Sequence, residues 1–144
     1  MVRMNDFDTI WLYSKYYANI VASAKRLNEI GENYAALVIL LNVFELVAKS
    51  VRETDKKNLI DDIQWLAQNG FINKQDENFL NDEQIGVRKI RNLMMHRDVY
   101  QYCIEIDNVA YPFADDATWE IMYNLLAERL IHIMAIIVSK KQFC

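Results

Sequence analysis

Three glycines (Gly31, Gly70, Gly86) and one proline (Pro112) are all the backbone punctuation in this chain of 144 residues. Glycine supplies the left-handed conformations of tight turns and proline the rigid corners, so a chain poor in both is ill suited to many short strands joined by tight turns. Long helices with few connections remain, and a composition rich in Leu, Ile, Ala and Glu favours them. The expected fold class is all-α or mostly so. One domain, 1–144, is long enough to bury about two-thirds of its unfolded surface without disulfides or metal staples.

Apolar periodicity divides the chain into helices. Phe7, Ile10, Tyr13, Tyr17, Ile20, Ala24 and Leu27 recur at helical spacing between a cap at Asn5 or Asp6 and a stop at Gly31, which predicts one long first helix. A second, from about Tyr34 to Glu53, is apolar on most sides and is expected at the centre of a bundle. "KKNLIDDIQWLAQNG" gives a shorter helix closed at Gly70, and "NKQDENFL" a turn or two more. "NDEQIGVRKIRNLMMHRD" begins with Asn81 as a capping residue and acidic residues in its first turn, its basic residues gathering toward the end as the helix dipole favours. Tyr100, Tyr102, Ile104 and Ile106 alternate before an Asp107-Asn108 turn, so a small β-hairpin or an ordered loop precedes the last helix. That helix starts near "DDATWE", carries Trp119, Met122, Leu126, Leu130, Ile133 and Ile137 as its stripe, and ends at Lys140 and Lys141.

A net charge of -4 and a pI near 5.2 give no overall attraction to a polyanion, and no basic recognition surface of the helix-turn-helix kind is visible, so direct DNA binding is not expected. Cys103 and Cys144 make neither a zinc pattern nor a disulfide framework, and "MVRMNDFDTIW" lacks the apolar core of a signal peptide, so a reducing, cytoplasmic setting is expected. Asn42, Glu45 and Lys49 interrupt one strongly apolar segment and Glu128, Arg129 and His132 the other, which makes both buried helices of a soluble protein rather than membrane spans.

"RKIRNLMMHRD", Arg88 to Asp98, gathers basic residues in an acidic chain. On a continuous helix Val87, Ile90 and Met94 form the buried stripe, with Arg91 at its edge. Asn92 and His96, four residues apart, lie one turn apart on the side away from it, with Arg88 and Met95 in between. A face of Arg, Asn, Met and His suits a groove or a partner helix better than a plain Lys/Glu surface would.

Arg91-Asn92 followed by Leu93, Met94, Met95 and His96 resembles the Arg-x4-His signature of the HEPN (higher eukaryote and prokaryote nucleotide-binding) superfamily, with a polar residue after the Arg. The flanking "VRKI" and "RD" are similar too, and "LNVFELVAK" resembles the family's second-helix segment, whose Glu would be Glu45. The resemblance implies a bundle of four to five helices, a homodimer with the two motif helices facing each other, and a metal-independent endoribonuclease of toxin-antitoxin, phage-defence or RNA-processing type. It makes Arg91 and His96 the catalytic pair, Asn92 an orienting residue, and Glu45 and Arg88 supporting ones, with no cofactor and no metal ligand. The types fit the chemistry: His96 can move a proton near neutral pH as an RNA 2′-hydroxyl attacks its own phosphate, and Arg91 can grip the phosphoryl oxygens. On a straight helix Arg91 and His96 point about 140° apart, so one composite cleft requires two copies.

In family members partnered with a minimal nucleotidyltransferase, a Tyr two residues after the His is the modification target. Here that position is Asp98, and Tyr100 is the nearest candidate. An antitoxin or nucleotidyltransferase partner is one implication. A non-catalytic HEPN module that binds a protein or a nucleotide, or a regulator of the mannitol-repressor kind, is the alternative. Among the remaining features, dipole compensation and solubility are the structural explanation of Arg88, Lys89 and Arg97, and the expected one for Lys89, which points away from the cleft; His132 is expected as a hydrogen-bonded residue in or beside the core. A helix-end network in which His96 caps the final carbonyls is the structural explanation of the motif. The aromatic clusters "WLYSKYY" and "VYQYC" belong to core or interface. Cys144 is expected to be exposed and without a role.

Overall fold

The structure is a computed structural model that describes residues 4–56 and 58–143, with only the backbone of Phe143. Cys144 lies outside them. The described residues form seven helices and one two-stranded hairpin, a mostly α fold. The helices are α1 (Asp6–Tyr13), α2 (Lys15–Glu29), α3 (Asn33–Arg52), α4 (Leu59–Gln68), α5 (Lys74–Asn81), α6 (Val87–Met94) and α7 (Asp116–Phe143), and the hairpin, β1 (Cys103–Ile106) with β2 (Val109–Pro112), stands before the last of them.

The expected first long helix is two. Ser14 leaves the helical region (φ -157°, ψ 110°), and its hydroxyl accepts the Tyr17 N–H at 3.1 Å to cap α2. A serine side chain that offers the next turn a partner is what lets the backbone break without orphaning donors. The break sends the two halves to different neighbours: α1 packs mainly on α7, whereas α2 packs mainly on α3. Ile10 from the first half and Ala18, Val21 and Ala24 from the second are all fully buried.

Helix α3 is the centre, packed against α2, α7, α4 and α6. Leu37, Leu40, Phe44 and Val47 are wholly removed from solvent, each contributing about 1.5–3 kcal/mol of burial. Its last turn is tied to α4 by Asp62, a fully buried carboxylate that bonds Lys49 and lies 2.9 Å from Arg52 Nη1. The whole stripe of α7 is buried, Trp119 to Ile137. Both α3 and α7 are long and apolar enough to cross a bilayer, and here they pack on each other. In the hairpin, Ile106 pairs with Val109 across Asp107 (φ 51°) and Asn108 (φ 65°), the double positive φ that a two-residue turn needs. Ile104 and Phe113 anchor it to the core, and Trp119 Nε1–H donates to the Phe113 carbonyl at 2.9 Å.

Candidate functional site

The motif helix is shorter at both ends than the pattern predicts. Asn81 is the last residue of α5 rather than a cap of α6. Asp82 follows, its Oδ1 accepting the N–H groups of Gln84 (2.8 Å) and Ile85 (3.1 Å). Those bonds favour the charged form and hold the Asp82 carboxyl below its ordinary pKa. Helix α6 starts only after Gly86, so its first turn carries no acidic residue and the expected dipole compensation there is absent. Gly86 is required by contact rather than by φ: its N–H donates to the Asp82 carbonyl at 3.0 Å, and a Cβ would collide with the Asp82 backbone. Val87 and Ile90 fix α6 to the core, with Met94 partly buried beside them.

Arg91 leaves this helix toward α3. Its Nη2 lies 2.9 Å from Glu45 Oε1, and its Nη1 donates to Asn92 Oδ1 at 3.2 Å. Arg91 Nε is buried and has no partner. Leaving such a donor unpaired costs about 1–3 kcal/mol, which a better-placed acceptor would recover. The pair is half-sheltered, the side chains 29% and 18% exposed. Glu45, expected near the site, is therefore in direct contact with Arg91. Between α3 and α6 lies an open groove of 410 Å³, lined by Tyr34, Val38, Ile39, Leu41, Asn42, Glu45, Arg91, Met94 and Met95.

His96 is not on the helix. Helix α6 ends at Met94, and Met95 turns the chain with its N–H on the Arg91 carbonyl. The angles drawn from an unbroken helix therefore apply to Arg91 and Asn92 but not to His96. The imidazole is exposed, with Nδ1 accepting a long 3.3 Å bond from the Asp98 N–H and its ring edge-on to Tyr102 (centroids 5.3 Å apart, 88°). Among the described residues no hydrogen bond runs from the imidazole to a carbonyl of the helix end, so the capping expected of His96 as the structural alternative is not what its side chain does here.

The remaining candidates sit nearby. Arg88, half-buried, donates through Nε to Asn81 Oδ1 at 3.2 Å and shares a second groove of 240 Å³ with Lys89, Asn92, Asp82 and Glu83. Tyr100 is exposed in the single 3-10 turn Val99–Gln101, its hydroxyl accepting from Gln101 Nε2 at 3.3 Å. His132 is hydrogen-bonded as expected, with Nδ1 3.1 Å from Asp6 Oδ1, but it is solvent-exposed rather than in or beside the core. The fold thus unites Arg91, Asn92 and Glu45, while His96 does not line the groove that Arg91 lines.

The pattern missed Tyr102 as the neighbour of His96, and Tyr34 and Asn42 as neighbours of Arg91. Tyr34, Val38, Asn42 and Glu45 follow one another at helical spacing along α3, and polar Asn42 and Glu45 interrupting an apolar helix were the available signal. Nothing local marks Tyr102, whose position depends on the hairpin. Compared with protein-family models, with curated proteins and with solved structures, the chain finds no match.

Proposed function

We propose that this chain is a metal-independent endoribonuclease of the HEPN type, working as a homodimer whose motif helices meet to form a composite Arg/His cleft, in a toxin or defence role in the cytoplasm. The observation that carries it is the ion pair between Arg91 and Glu45 (2.9 Å), which holds the guanidinium beside Asn92 instead of leaving it free in solvent. A preoriented guanidinium loses little freedom when it grips a phosphate, which is where catalytic electrostatics gains most.

The chemistry needs no group beyond these side chains. The RNA 2′-oxygen attacks the neighbouring phosphorus while a His96 imidazole takes its proton. The bond to the 5′-oxygen breaks, and that oxygen leaves as a hydroxyl on receiving a proton, a role open to the His96 of the second copy. The products are a 2′,3′-cyclic phosphate and a 5′-hydroxyl. Arg91 neutralises the charge gathering on the phosphoryl oxygens. The Asp98 N–H bond to His96 Nδ1 is long enough for a substrate hydroxyl to displace. Two copies are required because His96 and Arg91 of one chain do not share a groove, and Met95, 70% exposed between them, offers apolar surface for a second copy.

A second proposal, a non-catalytic HEPN module that binds a protein or nucleotide or a regulator of the mannitol-repressor kind, is favoured by Arg91 being already paired and by the net charge of -4. On either, an antitoxin or nucleotidyltransferase could act on the exposed Tyr100 hydroxyl. Incubating the protein with structured and unstructured RNA in excess EDTA separates the two. Cleavage leaving 2′,3′-cyclic ends, lost in folded Arg91→Ala and His96→Ala variants, is the expected result; no cleavage above the variants' background would transfer the proposal to the binding module.

A further inference from the structure

We infer that the groove between α3 and α6 is a base-holding subsite, which takes the heteroaromatic ring of a nucleotide whose phosphate Arg91 grips. This deepens the ribonuclease proposal and rests on it for the role of Arg91. At 410 Å³ the groove has the size of a small-ligand site. One end is apolar, with Tyr34, Val38 and Met95 each more than 40% exposed; the other holds Asn42, Glu45 and Arg91. The Tyr34 ring stands edge-on to the buried Trp119 (centroids 4.7 Å apart, 79°), which limits its reorientation while leaving it accessible.

The combination selects the ligand. A purely apolar occupant would bury the Asn42 amide without a partner and strip water from the Glu45–Arg91 pair, at a cost that its contacts with Val38 and Met95 would have to overcome. A free phosphate would satisfy Arg91 but leave the apolar end empty. A base offers π faces to Tyr34 and to the polarisable Met95 sulfur, and donors and acceptors on its edge to the Asn42 amide, with the attached phosphate reaching the guanidinium.

The test measures binding apart from cleavage. The full chain is titrated by NMR with adenosine and uridine 3′-monophosphates, with ribose 3-phosphate as the baseless control, and RNA cleavage is assayed separately. The expected result is at least one nucleotide binding about tenfold tighter than the baseless phosphate, with that advantage lost in Tyr34→Leu, which keeps an apolar residue on α3, and in Asn42→Ala, whose side chain is exposed. Equal affinity for the nucleotides and ribose 3-phosphate, or an advantage unchanged in both folded variants, would overturn the subsite even if wild-type protein cuts RNA. Base-dependent binding lost in these variants in a protein that cuts no RNA would uphold the subsite and remove the ribonuclease instead.

Discussion

Arg91 divides its guanidinium between Glu45 on another helix and Asn92 on its own, and this division sets what a single substitution does. Glu45→Ala removes the acceptor from Nη2 and frees the guanidinium to swing into solvent. The pair is partly exposed, so unfolding free energy should fall by only about 1 kcal/mol, whereas the proposed RNA cleavage should fall about tenfold or more because orientation is lost. Urea unfolding beside a cleavage assay checks both halves of that contrast. Tyr102→Leu tests the other half of the site: it removes the ring against which His96 stands, so the proposed cleavage should fall several-fold as the imidazole loses its orientation, while stability moves by less than about 1 kcal/mol. At this scale Glu45 was legible as a residue supporting the site, and an acidic residue on a mostly buried helix needs a cation, which Arg91 supplies. The surroundings of His96 were not, because Tyr102 reaches it from beyond a turn that no local residue announces.

Elements are where the pattern was most and least informative. Helices α3, α4, α5 and α7 follow their apolar stripes closely, and the hairpin follows Asp107-Asn108, because burial and turn chemistry act within a few residues of each signal. The misplaced boundaries lie at Ser14, Gly86 and Met94. At Ser14 the apolar spacing runs through the break, and only the serine itself, able to cap, hints at it; Ser14→Ala should cost about 1 kcal/mol in thermal or urea unfolding. At Gly86 the determinant is a contact with the Asp82 backbone, which no periodicity records. Gly86→Ala should therefore cost more than the usual gain from a less flexible chain, roughly 1–3 kcal/mol net, and weaken cleavage by shifting the start of α6. The same turn has a pH signature. Because the folded state lowers the Asp82 pKa, its contribution is present above the unfolded carboxylate value near 4 and is lost as pH falls through the folded one. Acid unfolding of Asp82→Asn should accordingly show less stability loss below pH ~4 than the native chain.

For the whole molecule, α3 is both the structural centre and one wall of the candidate site, so core and site substitutions cannot be fully separated there. Asp62 shows the distinction at a distance: it is fully buried against Lys49 and Arg52, and Asp62→Ala should lower unfolding free energy by about 3 kcal/mol, with cleavage reduced only in proportion to the folded fraction. At the alkaline end, burial and the nearby Glu29 raise the Tyr123 pKa, so the folded state retains this proton longer than the unfolded one and stability should decline above pH ~10. The mostly α class was legible in full from the scarcity of glycine and proline, because that scarcity acts on the whole chain at once. What the chain would contribute to the proposed composite cleft was legible only in its residue types. The end of α6 at Met94 carries one more consequence. Arg91 rides on a helix seated in the core, while His96 lies in the turn beyond that helix, its ring edge-on to Tyr102 just before the hairpin. The distance between them is set by the turn as well as by the helix, and a protein that clasped the hairpin could shift His96 and not Arg91 without ever occupying the proposed cleft.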